Sequence, residues 1–270
     1  MQAITIGDVR RLLAATNPRT EEPYSEWTST GTLRTFRQVM KMARDEGLIL
    51  RDPSDALQRH ERPKQKSKRK ARRLSPAQLE KVIETAERRV PGFAPVIVLL
   101  AYTGMRAREA LGLRWQDVDL DAATIRLRWQ LGRDDRGYTT VKTEAGERDI
   151  PILPALRRRL VEHRLASAWT RPGDPVFAAT SGKPKAYRNL RRALETFEAE
   201  LGFDLVSHDF RRSLASFLII AARADEAAVK GVMGHANIET TRRIYADDWR
   251  EAEERNAIVL EQLAQAGIGQ

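Results

Sequence analysis

The sequence predicts a mainly α protein with a small antiparallel β-sheet, laid out as a short helical N-terminal domain and a larger second domain. Three observations lead there. Apolar residues recur at helical spacing over most of the chain. Three short β-rich segments lie together between Thr124 and Ile152, separated by the turn sequences GRDDRG and EAGE. One run, HERPKQKSKRKARR from His60 to Arg73, has no apolar periodicity and separates two patterned stretches.

The elements follow in order. ITIGDVRRLLAAT places Ile6, Val9, Leu12 and Leu13 on one helical side. STGTLRTFRQVMKMARDEGLI is a second helix, with Ser29 or Thr30 as cap and Leu33, Phe36, Val39, Met40 and Ala43 as its apolar stripe. It ends at Gly47, and the chain turns at Pro53. These elements form a domain over 1–58. A basic linker spans 59–74, and the second domain runs over 75–270. That domain opens with LSPAQLEKVIETAE, a serine cap followed by proline at the first helical position. A buried helix, Phe93 to Tyr102, stops at Gly104, and another covers Arg106 to Arg114. Strands are expected at Thr124–Trp129, Thr139–Thr143 and Arg148–Ile152. Helices follow near Pro154–Ala168, Tyr187–Leu201, Ser207–Ala222, Asp225–Met233 and Arg250–Ala266. Ser207 reads as the cap of its helix, with Phe210, Leu214, Phe217, Leu218 and Ala221 as the buried stripe.

Composition narrows the chemistry. A net charge of +10 and a pI near 10.1 make a polyanion the first partner to consider. The linker charges Lys64, Lys66, Lys68, Arg69, Lys70, Arg72 and Arg73 are expected to lie along phosphates. An anionic membrane surface is disfavoured, because the basic residues are spread along the chain without an aromatic amphipathic face. The longest apolar run, Phe93 to Tyr102, is about half a membrane span. MQAITIGDVRRLL carries an acid early and does not read as a signal peptide, so the chain reads as soluble and intracellular. With no cysteine, disulfides, thiolate chemistry and cysteine-ligated zinc are excluded. No carboxylate–histidine cluster stands at metal-ligand spacing, and SGKPKA at Ser181 is too short for a phosphate-binding loop, so neither metal nor cofactor is expected.

Several residues carry possible chemistry. In SHDFRRSLASFLIIAA, His208 and Arg211 are three apart and share a face near a helix start, where free N–H groups attract anions. In AYTGMRAREALGLRW, Gly104 permits a tight turn and Arg106 emerges where two helices meet. Glu109 is placed to orient that guanidinium, a natural bidentate clamp for a phosphate. A surface salt bridge between Arg106 and Glu109 is the plainer alternative. Lys142 in VKTEAGERDIPI sits at a strand end beside a turn, where exposed lysines are common. His235 and Tyr245 lie in VKGVMGHANIETTRRIYAD, and an isolated tyrosine there reads as a half-buried ring.

Taken together the set resembles the catalytic domain of the tyrosine recombinases, the phage-integrase family of site-specific DNA recombinases. TGMRAREALGLRW is similar to that family's first arginine box and VKT to its β-hairpin lysine. HDFRR is similar to its H-x-x-R box, with Arg212 where a second histidine often stands. MGHANIETTRRIYA resembles its glycine-histidine and tyrosine box. The order of the boxes is intact over roughly Leu74 to Asp247. The resemblance implies strand cleavage through a 3′-phosphotyrosyl bond, which stores the energy of the broken phosphodiester. It implies Tyr245 as nucleophile, Arg106 and Arg211 on the non-bridging oxygens, and Lys142 as general acid. His208 would be the proton acceptor and His235 a hydrogen-bond donor to the phosphate.

STGTLRTFRQVMKMARDEGLILRDP resembles the later part of the family's helical core-binding domain, which reads as shortened at its N-terminus. The implied partners are double-stranded DNA at attachment-type sites, three further copies of the chain in a tetramer on DNA, and accessory DNA-bending or directionality proteins. The implied location is the cytoplasm, on the nucleoid, in a prokaryote or phage. Two alternatives stay open at this level: a type IB topoisomerase-like enzyme, and a DNA-binding protein with a vestigial site. The C-terminal face of Ile258, Leu260, Leu263 and Ala264 fits packing on its own domain as well as docking on a neighbour.

Overall fold

The computed structural model describes residues 4–64, 72–135, 137–141, 146–220, 222, 224–234, 239, 248 and 250. The chain divides into two compact units, Met1–Lys70 and Ala71–Gln270.

In the first unit, α1 spans Ile6–Leu13, and Thr5 and Asp8 close a reciprocal capping box at its start. The second helix, α2, spans Glu26–Asp45 and begins a turn earlier than the sequence reading placed it. Ser25 is the cap, accepting from the Thr28 N–H. Ser29 and Thr30 lie inside the helix, and the Thr30 hydroxyl bonds back to the Glu26 carbonyl at 2.7 Å. Several hydroxyl residues in sequence offered equivalent caps, and the earliest took the role. A 3-10 helix, Pro53–Ala56, packs beside α1. Val9, Leu33 and Leu57 are buried, with Ile6, Leu13 and Phe36 against them. Val39, expected in this core, is 52% exposed and lies off the stripe.

The second unit is built on α3 (Pro76–Arg89), α4 (Ala94–Thr103), α5 (Ala107–Leu111), α6 (Pro154–Ala166), α7 (Tyr187–Glu195), α8 (Glu198–Leu201), α9 (Ser207–Ile220) and α10 (Glu226–Met233). Ser75 and Gln78 form a capping box on α3, with Pro76 in its first turn. Helix α4 is apolar on all sides and buried along nearly its whole length, packed against α3, α6 and α9. The helix expected over Arg106–Arg114 is only five residues long. Gly112 is its C-cap, and the backbone of Gln130 and Leu131 passes too close there for any side chain: a Cβ would stand 2.5 Å from the Leu131 nitrogen.

The β structure forms two small antiparallel sheets. Strands β1 (Val118–Asp119), β2 (Thr124–Leu127) and β5 (Arg148–Pro151) make one, with Ile125 opposite both Val118 and Ile150. Strands β3 (Trp129–Leu131) and β4 (Tyr138–Thr140) make the other. The continuous strand expected over Thr124–Trp129 therefore breaks at Arg128. Its guanidinium caps the junction, donating to the carbonyls of Leu127 (2.9 Å) and Arg148 (3.2 Å). In α9 the buried side includes Phe210, Arg211, Ala215 and Ile219. Phe217, expected inside, is 52% exposed. Ser207 is the first helical residue and not the cap; the Asp209 carboxylate accepts the Val206 N–H at 2.9 Å.

Candidate active site

Local backbone geometry sets the first guanidinium. Gly104 ends α4 in the left-handed region at φ 59°, and a Cβ there would meet Leu214 Cδ2 at 2.9 Å. Two residues later Arg106 caps α5. Glu109 takes the Arg106 backbone N–H on Oε2 (2.9 Å) and its Nη1 on Oε1 (2.7 Å). The glutamate is 2% exposed while the arginine side chain keeps 42% exposure, so the buried partner aims a charge that still reaches solvent. Arg106 Nη2 also donates to the Gly234 carbonyl at 3.4 Å.

The second guanidinium comes from α9. Arg211 is 1% exposed and donates to the Gly104 carbonyl at 3.0 Å and to the Met233 carbonyl. Arg106 and Arg211 are thus tied to the same two backbone turns, Gly104–Arg106 and Met233–Gly234. His208 lies one helical turn before Arg211. Burial, and then the positive charges of Arg211 and Arg106, hold its imidazole below the ordinary histidine pKa. Met105, Arg106, Ala107, Arg108, Gln130, Tyr187, Ser207 and His208 line one cleft. The result is a cationic recess with a neutral imidazole on its wall. Such a recess can bind an oxyanion and accept a proton beside it.

Arg106, Glu109, His208 and Arg211 are therefore brought together. Lys142, His235 and Tyr245 lie outside the described residues, as do Lys66, Lys68, Arg69, Lys70 and the apolar face of 258–264. Arg72 and Arg73 are engaged within the second unit. The Arg72 N–H donates to Asp209 Oδ1 at 3.2 Å, and its guanidinium lies 4.7 Å over the Phe203 ring. Arg73 pairs with the fully buried Asp248 at 2.7 Å, and Asp248 also meets Arg212 and the Ser216 hydroxyl, each at 3.1 Å. In the first unit the Lys64 N–H donates to Glu26 Oε2 at 2.7 Å.

Two arginines near the recess were missed in the sequence reading. Arg148 donates to Glu109 Oε2 at 3.0 Å. Burial works to raise the Glu109 pKa, but the charges and hydrogen bonds of Arg148 and Arg106 outweigh it and hold the carboxyl below the usual glutamate range. The signal for Arg148 was available: in RDIPI it shares the alternating phase of Ile150, which faces the core. Arg108 ties down the turn between β3 and β4. It bonds the carbonyls of Gly132 and Arg133, pairs with Asp135 at 2.6 Å, and lies 5.0 Å over the Tyr187 ring. No spacing in the sequence marked it.

Among the described residues, no group of three or more His, Asp or Glu side chains is arranged to hold a metal ion. Nor is any helix long and apolar enough to cross a membrane.

Comparison with known proteins adds a common theme. The model of the phage integrase family matches residues 72–251. Tyrosine recombinase XerC of Rhodospirillum centenum is 30% identical over 155 residues, covering 56% of this chain and 41% of that protein. The chain thus spans about two fifths of that relative's length. XerC of Pseudomonas syringae pv. tomato is 27% identical over 246 residues, covering 87% of this chain and 74% of the relative. Among solved structures, the Tn1549 transposon integrase in complex with circular intermediate DNA superposes with a TM-score of 0.72 at 20% identity, covering 93% of this chain and 85% of that one. A lambda integrase dimer bound to a core site superposes with a TM-score of 0.56 at 16% identity, covering 88% and 81%. At these identities the two structures speak to the fold.

Proposed function

The chain belongs to the phage integrase family, and from that premise we propose that it is a site-specific DNA recombinase that cuts and rejoins strands through a 3′-phosphotyrosyl intermediate. The observation that carries the reading is that Arg106 and His208 line one cleft while the buried Arg211 is bonded to the Gly104 and Met233 carbonyls directly behind it, in a chain whose remaining boxes follow in the family's order.

In this reading Arg106 and Arg211 bind the non-bridging oxygens of the scissile phosphate and stabilise the charge that builds there. The Tyr245 oxygen forms the new bond to phosphorus as the bond to the 5′-oxygen breaks. His208 takes the phenol proton, Lys142 gives a proton to the leaving 5′-oxygen, and His235 donates a hydrogen bond to the phosphate. Glu109 orients Arg106. Rejoining is the reverse, with a 5′-hydroxyl from another strand as nucleophile. A phenol has a pKa of about 10 in water, so a neutral imidazole beside it is what the step needs at pH 7.

The proposed substrate is duplex DNA at attachment-type sites. Residues 1–58 act as a core-binding domain, the lysine-rich middle of the linker over 59–74 follows the phosphates while Arg72 and Arg73 anchor its end to the second unit, and residues 75–270 perform the chemistry. Recombination of two duplexes further proposes a homotetramer on DNA, with accessory bending or directionality proteins.

A duplex nicked near the cleavage point, taken from candidate sites flanking the native gene, tests the reading. The expected product is a covalent protein–DNA adduct that Tyr245→Phe abolishes. Binding without any adduct supports a vestigial site instead, and relaxation of supercoils without site preference supports a topoisomerase.

A further inference from the structure

Arg148 belongs to none of the motifs that carry the functional reading, yet three chain segments meet on its guanidinium. Nε donates to the Val232 carbonyl at 3.1 Å, Nη1 to the Gly146 carbonyl at 3.2 Å, and Nη2 to Glu109 Oε2 at 3.0 Å. The side chain is 9% exposed and its carboxylate partner 2%. Every nitrogen of the planar fork is therefore used, on acceptors that come from α5, from the approach to β5 and from the last turn of α10.

Two of these segments bear directly on the recess. Glu109 is the group that holds Arg106, by 2.7 Å and 2.9 Å bonds. Val232 directly precedes Met233 and Gly234, whose carbonyls receive Arg211 and Arg106. Gly146 lies four residues beyond Lys142 in sequence. One rigid cation thus ties the supports of both arginines.

We propose that Arg148 is a positioning residue for strand cleavage: it locks Glu109 and the end of α10 so that Arg106 and Arg211 are presented to the phosphate in fixed geometry. The inference rests on the recombinase reading above. A lysine at this position keeps the charge but has a single point of donation, which cannot span three acceptors in fixed directions.

The experiment measures single-turnover cleavage of the nicked duplex by Arg148→Lys, Arg148→Gln, Glu109→Gln and the double variant E109Q/R148K. DNA affinity and thermal unfolding are followed in parallel. Arg148→Lys is expected to bind DNA within about twofold of the parent and to cleave at least about tenfold more slowly, since each 1.36 kcal/mol of lost transition-state stabilisation is tenfold in rate. Arg148→Gln is expected to be slower still. If the residue acts through Glu109, adding Arg148→Lys to Glu109→Gln slows cleavage far less than it slows the parent. Parent-like cleavage by Arg148→Lys overturns the inference. So do losses that multiply fully in the double variant, or a rate loss that simply follows the melting temperature. These outcomes need a parent that forms the Tyr245-dependent adduct; its absence refutes the recombinase reading itself, a separately visible result.

Discussion

Glu109 and Arg106 are joined twice, by backbone N–H to Oε2 at 2.9 Å and by Nη1 to Oε1 at 2.7 Å, with the carboxylate buried and the guanidinium half open to solvent. The first bond caps α5 and the second aims the side chain. Secondary structure and site are therefore set by one residue. Removing the carboxylate leaves the buried Arg148 without its acidic partner. Glu109→Ala should cost about 3 kcal/mol of unfolding free energy, the range for breaking a buried ion pair. Urea unfolding with an unchanged slope measures it; a loss within error of zero would contradict this placement.

Acid should act through the same carboxylate. Its folded pKa lies below the ordinary 4.5, so the unfolded chain takes up the proton first as pH falls. The stability it contributes is fully present above about pH 4.5 and is lost as pH drops through the lower, folded value. Melting temperatures between pH 6 and pH 3 should fall less steeply in Glu109→Gln than in the parent. Parallel curves would assign the acid sensitivity to other groups.

His208 gives the cleavage reaction its own pH dependence. Burial, with the charges of Arg211 and Arg106, lowers its pKa below the ordinary 6.5, so the imidazole is neutral at pH 7. A proton acceptor must be neutral, so single-turnover cleavage should change little with this group above pH 7 and decline chiefly on the acid side of 6.5. The decline should vanish from the residual activity of His208→Asn. A parent profile that already falls between pH 8 and 7 would argue against a neutral His208.

Much of this arrangement was legible in sequence because chain-local rules produced it. The glycine after α4, the pairing of Glu109 with the Arg106 guanidinium, and the three-residue spacing of His208 and Arg211 follow from helix periodicity and from the left-handed turn at Gly104. What escaped was set by contacts between distant segments. The break at Arg128 exists because β2 and β3 join different partners, β5 and β4. Arg148 reads as an ordinary strand residue until α5 and α10 are brought beside it. Phe217 and Val39 fit a helical stripe in sequence, but each is 52% exposed, because packing with other elements decides which side of a helix is covered.

Gly112 separates steric need from conformational need. Its φ is −90°, which any residue adopts, yet a Cβ would stand 2.5–2.8 Å from backbone atoms of Gln130 and Leu131. Backbone cannot step aside as a side-chain tip can. Gly112→Ala should therefore displace β3 from α5 and destabilise the second unit by at least about 2 kcal/mol, in the range of overpacked cores. Gly92, around which a Cβ meets nothing within 4 Å, is the matched control. There alanine should be neutral or stabilising by about 0.5 kcal/mol through the unfolded chain. Equal effects at the two positions would show that the close approach is not rigid.

Asp248 joins three parts of the second unit at a site without solvent. It is fully buried, pairs with Arg73 at 2.7 Å and Arg212 at 3.1 Å, and accepts from the Ser216 hydroxyl at 3.1 Å. Arg73 stands where the basic linker meets the second unit, and Arg212 and Ser216 lie on α9. Asp248 itself is three residues beyond Tyr245. An acid buried between two guanidinium groups is poorly screened, whereas exposed pairs weaken within the Debye length, about 10 Å at 0.1 M salt. Asp248→Ala should therefore lower unfolding free energy by about 3 kcal/mol, and the loss should be the same in 0.05 and 0.5 M salt to within about 0.5 kcal/mol. Asp248→Asn keeps the shape and the Ser216 bond but removes the charge, so it should fall between parent and Asp248→Ala. A loss that disappears at high salt would place this carboxylate at the surface, and the tie between linker, α9 and the segment after Tyr245 would then have to be sought elsewhere.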